Sequence, residues 1–194
     1  MSTVKSKKLQ VGTDATSSNN FTIYQPATPD GTLRIGVGNA DSPTEVGQFN
    51  SNGYVATNAP AFSASQSTTT SMSNGVRTKL QFDTEDFDTN SCYDATTNYR
   101  FTPNVEGYYL ITGACAFNLA SGQMNVVIYK NGSALIWGNQ FPNNTNLNIA
   151  NVSTILYANG TTDYFECYGY QASGGTASNF VVSERFQGIL VRAA

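Results

Sequence analysis

The sequence predicts an all-β protein in two parts, a small β-rich N-terminal module followed by a larger β-sandwich. Runs of alternating apolar and polar residues recur along the 194-residue chain, and turn-forming Asn-Gly, Pro and Gly segments separate them. No window shows apolar residues at the three- and four-residue spacing that an amphipathic helix needs. Charged residues make up only 12% of the chain, and a surface rich in Asn, Thr, Ser and Gly favours strands and turns over helices.

Residues 1–57 are predicted to form the N-terminal module. Its short alternating runs are Phe21-Thr-Ile-Tyr24, Leu33-Arg-Ile-Gly-Val37, Val46 to Phe49 and, after the Asn52-Gly53 turn, Tyr54-Val55. These runs are too short and too sparsely apolar to build a core alone. We therefore expect the module to gain its core by association.

The composition changes around Asn58-Ala59-Pro60, and residues 58–194 are predicted to form the sandwich. About eight strands are expected in this domain: Ala61–Ser65, Val76–Phe82, Tyr108–Asn118, Met124–Lys130, Ala134–Trp137, Leu147–Tyr157, Asp163–Tyr170 and Phe180–Val191. Asn131-Gly132 and Asn159-Gly160 each lie between two of these runs, which is the strongest short hairpin signal. Strands of this length and spacing are typical of a sandwich or jelly roll.

The strand after Asp163 carries bulky side chains on both faces. Phe165 and Cys167 share one face, whereas Tyr164, Tyr168 and Tyr170 largely take the other. Aromatic residues on both faces indicate that both faces are covered. One face of a sandwich meets the core, so a neighbouring subunit is the economical partner for the second.

The sandwich resembles the C1q/tumour-necrosis-factor family in several motifs that follow the family's order. These are Pro60-Ala-Phe-Ser-Ala64 for the opening strand, the series Phe82, Asp88, Tyr93, Phe101 and Gly107-Tyr-Tyr109, the hairpin Tyr129-Lys-Asn-Gly132, and the closing strand Phe186-Gln-Gly-Ile-Leu190. The step from Tyr93 to Phe101 is one residue longer than the family's pattern, and Ile111 and Gly113 replace two of its aromatics. The resemblance implies a ten-stranded C1q/TNF-like jelly-roll head that forms a homotrimer.

The residue types at two of these places also have a direct physical role in a packed sandwich. Phe82, Phe101 and Tyr109 are large enough to hold two sheets together through buried area. Gly188 lies inside the last strand, where glycine indicates close approach of another backbone or ring.

The N-terminal module is similar to shaft and attachment segments of bacteriophage fibres. The similarity is carried by Gly12-Thr-Asp-Ala-Thr16, by the runs at Phe21 and Leu33, and by Phe49-Asn-Ser-Asn-Gly53. It implies a homotrimeric phage virion protein of tail-fibre type, anchored to a tail, baseplate or capsid protein by its N-terminus. The head then faces outward for host attachment and binds a surface glycan or protein as receptor. Capsid decoration, as a stabilising cement protein or head fibre, is the alternative structural role.

The basic start of the chain is the candidate anchor. Lys5, Lys7 and Lys8 have no acidic neighbour among the first ten residues. They either dock on an acidic virion protein or form a solvated terminus. No apolar segment follows them, so we expect no signal peptide, assembly in the host cytoplasm and a final location on the virion surface.

Composition excludes several classes of function. The chain has no histidine, which removes Ser-His-Asp and Cys-His catalysis and histidine zinc sites. With no plausible carboxylate pair either, we expect no enzyme; a polysaccharide depolymerase is the alternative that this argues against. A formal net charge of −3 gives no general attraction to nucleic acid, and no apolar run is long enough to insert in a membrane.

Cysteine and acidic residues offer two further candidates. Cys92, Cys115 and Cys167 form neither a disulfide framework nor a zinc motif, and we expect buried reduced thiols. The second candidate is the acidic cluster of Asp83, Glu85, Asp86 and Asp88. It forms either a solvated loop or a site for Ca²⁺, which is the one cofactor considered. The spacing of the four residues does not match an EF-hand loop.

Two aromatic patches are the candidate receptor contacts. Trp137 and Phe141 flank Gly138-Asn-Gln140, and Tyr168 and Tyr170 precede a Ser/Gly-rich loop. Aromatic rings beside amides suit sugars, because the ring stacks and the amides bond hydroxyl groups. Core packing is the competing interpretation for Trp137.

Overall fold

The computed structural model describes residues 7–51, 53–56, 59–117, 122–142 and 147–194. The chain divides into two compact units, Met1–Asn58 and Ala59–Ala194. Within the described ranges the only helix is a three-residue 3-10 turn at Ser17–Asn19, so the prediction of an all-β protein is confirmed. None of the described helical structure is long and apolar enough to cross a membrane.

The first unit is a five-stranded antiparallel sheet in which the strands follow one another in chain order. The strands are β1 (Lys8–Val11), β2 (Phe21–Tyr24), β3 (Leu33–Val37), β4 (Thr44–Asn50) and β5 (Gly53–Ala56). The runs at Phe21 and Leu33 form strands with the predicted bounds. Strand β1 was not predicted, because four residues with a single alternation carry little signal.

The second unit contains fourteen strands among its described residues, and we call it the head. They are β6 (Ala61–Ser65), β7 (Ser71–Met72), β8 (Thr78–Lys79), β9 (Thr84–Asp88), β10 (Tyr93–Asp94), β11 (Arg100–Phe101), β12 (Glu106–Phe117), β13 (Gln123–Lys130), β14 (Ser133–Trp137), β15 (Phe141–Pro142), β16 (Asn148–Asn159), β17 (Phe165–Ala172), β18 (Ala177–Ser178) and β19 (Phe180–Ala193).

Two antiparallel sheets face each other in the head. The first sheet has the order β16-β12-β19-β6-β9, and the second has β10-β11-β17-β13-β14, with β15 beside β13 and β8 beside β17. Strands β7 and β18 form a separate pair. The inward faces of the two sheets enclose the core, so the predicted sandwich is confirmed.

An aromatic cluster joins the two sheets. The Phe62 ring lies 4.6 Å from that of Tyr93, 4.5 Å from Phe101 and 5.0 Å from Phe186, measured between ring centroids. The predicted core residues Phe82, Phe101 and Tyr109 are fully buried. Such pairs contribute stability beyond the area they remove from water.

Gly188 lies against this cluster, as predicted. A Cβ atom at residue 188 would stand 2.7 Å from the Phe62 ring and 3.0 Å from Ile111 Cδ1. All three cysteines are buried and free, which confirms that prediction.

One predicted hairpin is confirmed and the other is wrong. Asn131-Gly132 joins β13 to β14 with positive φ at both residues, as a type I′ turn requires. Asn159-Gly160 instead carries the chain from β16 in the first sheet to β17 in the second. The side-chain oxygen of Asn159 accepts the backbone N–H groups of residues 161, 162 and 163 at 2.9–3.0 Å, which organises a crossing loop.

Two other regions differ from the prediction. Only Thr78–Lys79 of the run predicted at Val76–Phe82 pairs as a strand. A solvated loop was one prediction for the acidic residues between 83 and 88. Three of them, Glu85, Asp86 and Asp88, instead lie in strand β9 at the edge of the first sheet. Charged side chains tolerate an edge strand because they remain in water and discourage pairing with other chains.

Candidate assembly and binding surfaces

The outward side of the first sheet is apolar over part of its area. Strand β12 alternates, with Tyr109 and Ile111 in the core and Tyr108 and Leu110 pointing out. The register places Tyr108 beside Tyr157 of β16, and it places Leu110 between Ile155 of β16 and Ile189 of β19. Large apolar side chains therefore line up across three neighbouring strands.

This apolar head face extends to the edge strand β9. Phe87, Ile155 and Ile189 are each about half exposed. A shallow groove of about 230 Å³ lies between Ala61, Phe87, Leu110 and Ile189. A continuous apolar surface of this kind marks an interaction site in a soluble protein.

The neighbouring row on the same side of the sheet is polar and internally hydrogen-bonded. Thr112 donates to Gln187 at 3.4 Å, Gln187 donates to Ser63 at 3.2 Å, and Ser63 donates to Asp86 at 2.8 Å. Arg185 Nε lies 3.5 Å from the same Asp86 carboxylate. The apolar head face thus has a polar border whose groups already have partners.

The outward side of the second sheet carries the other surface, which we call the outer aromatic face. Trp137 of β14 and Tyr168 of β17 lie on either side of Val127 of β13, and together they help bury it. Tyr168 stacks on Tyr129 with ring centroids 3.8 Å apart, and Trp137 meets Tyr170 edge-on at 6.4 Å.

Cations lie over these rings. The guanidinium carbon of Arg77 is 4.2 Å from the centre of the Trp137 ring. Lys79 Nζ is 5.9 Å from the centre of the Tyr168 ring and forms an ion pair with Glu166. Each contact between a cation and an aromatic ring contributes about 0.5–1 kcal/mol of interaction free energy at exposed sites.

Two buried acceptors beneath the outer aromatic face lack hydrogen-bond partners among the described residues. They are Asn125 Oδ1, beside Tyr170, and Glu166 Oε2, beside Tyr129. Burial and the nearby Glu166 charge raise the pKa of Tyr168 to about 12. The rings of this face can stack a sugar, and the tyrosine hydroxyls can bond the sugar's hydroxyl groups.

The structure brings the two predicted receptor patches together. Trp137 is 47% exposed, rather than packed in the core, and it lies in the same face as Tyr168 and Tyr170. Phe141 lies in strand β15 beside Met124, and its side chain is outside the described residues. Sequence reasoning missed Arg77, whose contact with Trp137 joins residues distant in the chain.

Tyr129 was also missed as a surface residue. Tyr129 is two residues from Val127 in β13, and residues two apart share one side of a strand. This spacing was the available signal that Tyr129 lies on the same side as Val127.

Three of the four acidic residues bind separate partners. Asp83 accepts from the amide and hydroxyl of Ser67 at 2.7 and 2.6 Å, and Asp88 accepts from the Asn90 and Tyr93 amides. Asp86 pairs with Arg185, and Glu85 is exposed. Within the described ranges no three Asp, Glu, Cys or His side chains come together as metal ligands. The Ca²⁺ hypothesis gains no support from this geometry.

The candidate anchor residues have different settings. Lys5 lies outside the described residues. Lys7 is exposed, and its carbonyl accepts the Gln25 amide at 2.9 Å. Lys8 Nζ donates to the Ala40 carbonyl at 2.5 Å, so this ammonium group is engaged within the module.

Comparison with known proteins supports the fold of the head. No family model and no curated protein matches the sequence. Solved structures similar to the chain include the globular domain of zebrafish complement 1qA, at 16% identity and a TM-score of 0.55, covering 70% of this chain and 98% of that one. Murine APRIL is similar at 11% identity and a TM-score of 0.56, covering 69% and 99%. Eiger TNF from S. frugiperda is similar at 10% identity and a TM-score of 0.51, covering 70% and 93%.

The head is therefore a jelly roll of the C1q and TNF type. Identities this low establish the fold alone. The predicted fold class is confirmed, and function has to be argued from the surfaces.

Proposed function

We propose that the protein is a homotrimeric, non-enzymatic virion protein of fibre type, attached to a phage particle through its N-terminal module. The apolar head face is the observation that carries this proposal. A monomer would leave Phe87, Ile155 and Ile189 in water, whereas packing against a neighbouring head removes them from it. A closed ring of identical heads uses the same contact in every copy.

The outer aromatic face is the proposed receptor surface. It lies on the opposite sheet from the apolar head face, so assembly through one leaves the other free. Trp137, Tyr168 and Tyr170 with Arg77 offer rings and a cation to a host glycan or surface protein. Three such surfaces on one particle protein raise avidity without stronger single contacts.

Capsid decoration is the second candidate function. It is favoured by the contacts that the rings of the outer aromatic face already make with one another, including the 3.8 Å stack of Tyr129 on Tyr168. A stabilising cement protein needs the same trimer and no receptor site.

Binding of the purified protein to host cells tests the receptor role. We expect Trp137→Ala to lower the bound fraction at least tenfold while the oligomer keeps its mass. Leu135→Ala is the matched control, because Leu135 is an exposed apolar residue of the same strand. Equal binding by the two variants would contradict the receptor role, and imaging of labelled protein on the capsid shell would support decoration.

A further inference from the structure

The N-terminal sheet carries a second apolar surface, which we call the apolar module face. Its members are the large side chains that point to one side of β1 to β4 and are between 37% and 59% exposed: Leu9, Val11, Phe21, Ile23, Leu33 and Phe49. The register aligns them in rows. Leu9 lies beside Ile23, Val11 beside Phe21, and Leu33 beside Phe49.

The other side of the same sheet is polar and covered. Asn20 and Thr22 are fully buried, and the Thr22 hydroxyl donates to the Gly38 carbonyl at 3.0 Å. A Cβ atom at Gly36 would meet Pro43 at 2.7 Å, because the loop between β3 and β4 folds over this side. The module thus buries polar groups and exposes apolar ones, the reverse of an independent domain.

Charge further restricts what can cover the apolar module face. The ionic groups of β1 to β4 lie on the covered side, where Arg34 pairs with Asp30 at 2.6 Å and with Glu45 at 2.8 Å. Among the described residues of these four strands no charged side chain points to the apolar module face, and Lys7 lies only at its rim. A matching partner surface is apolar and uncharged, and the same face on another copy meets both conditions.

The size of the sheet shows that this face does not hold two copies together by itself. Five strands spaced about 4.8 Å apart and about five residues long give a face of about 24 by 17 Å, or about 400 Å². Each copy contributes about 400 Å² whether two or three copies meet, so a pair of these faces alone buries about 800 Å², within the range of crystal contacts. The number three therefore comes from the proposed head trimer, which brings three module faces into one assembly.

We propose that three copies of the module pack their apolar faces together around one axis and form a core shared between chains. This inference rests on the proposed homotrimer and adds to it a second interface, independent in sequence from the head. The module obtains its core only in the assembly.

Cysteine cross-linking in the full-length chain tests the proposal. Ile23→Cys places a thiol on the apolar module face, and mild oxidation is expected to link two chains of each trimer through it. Gln10→Cys is the matched control, because Gln10 lies on the opposite side of the sheet, where its side chain accepts from the Ala40 amide. The native cysteines are buried, so their background reaction is expected to be small.

The outcomes separate the two proposals. A trimer in which Ile23→Cys forms no linked chains, or in which both variants link equally, overturns the shared core and leaves the head trimer standing. A wild-type protein that runs as a single chain overturns both.

A charge variant gives a second readout. In Leu9→Glu we expect the backbone amides of β2 to exchange hydrogen at least tenfold faster than in Gln10→Glu, with head protection unchanged. Equal exchange in the two variants would overturn the shared core.

Discussion

Glu184 is a carboxylic acid enclosed by the head. It is 1% exposed, its Oε1 accepts the Ala116 amide at 3.0 Å, and both of its oxygens accept from the Asn179 side chain at 2.7 Å. Burial raises its pKa from 4.5 to about 7, because these hydrogen bonds only partly replace the lost water. The folded head therefore binds a proton that the unfolded chain releases at neutral pH.

The sign of the pH dependence follows from this raised pKa. Below pH 4.5 Glu184 is protonated in both states and imposes no penalty. As pH rises through about 7, the folded state must bury the charge. We predict that the free energy of unfolding falls by on the order of 3 kcal/mol between these limits. Denaturant unfolding, followed by fluorescence of the single tryptophan Trp137 at several pH values, measures it.

Glu184→Gln is the control for this prediction. The variant keeps the size of the side chain and cannot ionise, so its stability should change little over the same pH window. An unchanged slope in Glu184→Gln would show that another group is responsible.

The sequence predicted one close contact in the core of the head but not the environment of Glu184. Glycine inside the last strand predicted the close ring at Gly188, because only a missing Cβ explains glycine there. The environment of Glu184 could not be foreseen, since the Ala116 amide that it accepts belongs to β12, 68 residues away in the chain, and only the folded sandwich brings the two together.

The positions of the strands in the sequence were easier to predict than the pairing of strands within the sheets. The long alternating runs at β12, β13 and β16 lie within two residues of the predicted bounds, because burial of one face imposes a period of two. Asn159-Gly160 failed as a hairpin because the same dipeptide can also turn a chain from one sheet to the other. The choice depends on tertiary packing, which a local pattern does not contain.

Packing between strands β19 and β6 depends on the missing side chain at Gly188. We predict that Gly188→Ala destabilises the head by about 1–3 kcal/mol, because the added methyl group overlaps the Phe62 ring. Gly175→Ala is the matched control, since its Cβ meets no atom within 4 Å and its φ is not positive. Thermal unfolding of both variants measures the difference, and equal midpoints would contradict the close fit.

At the scale of the whole molecule, each unit leaves one apolar sheet face in water. The sequence predicted the need for association, from short runs in the module and aromatic residues on both faces of β17. It placed the head's partner surface on the sheet that contains β17, whereas the structure exposes the larger apolar area on the first sheet. Tyr168 and Tyr170 of β17 are partly covered by Tyr129 of β13 and Trp137 of β14, whereas the apolar head face belongs to β16, β12 and β19. Isolated strands do not reveal which sheet side remains uncovered.

Sedimentation of the purified protein at micromolar concentration tests the central claim most directly. The account predicts a particle of about three times the 20.8 kDa chain mass, and a shift to lower mass in Ile155→Arg, which places a charge on the apolar head face. Thr161→Arg, in an exposed loop, should keep the wild-type mass. A compact wild-type species of 20.8 kDa would contradict the account.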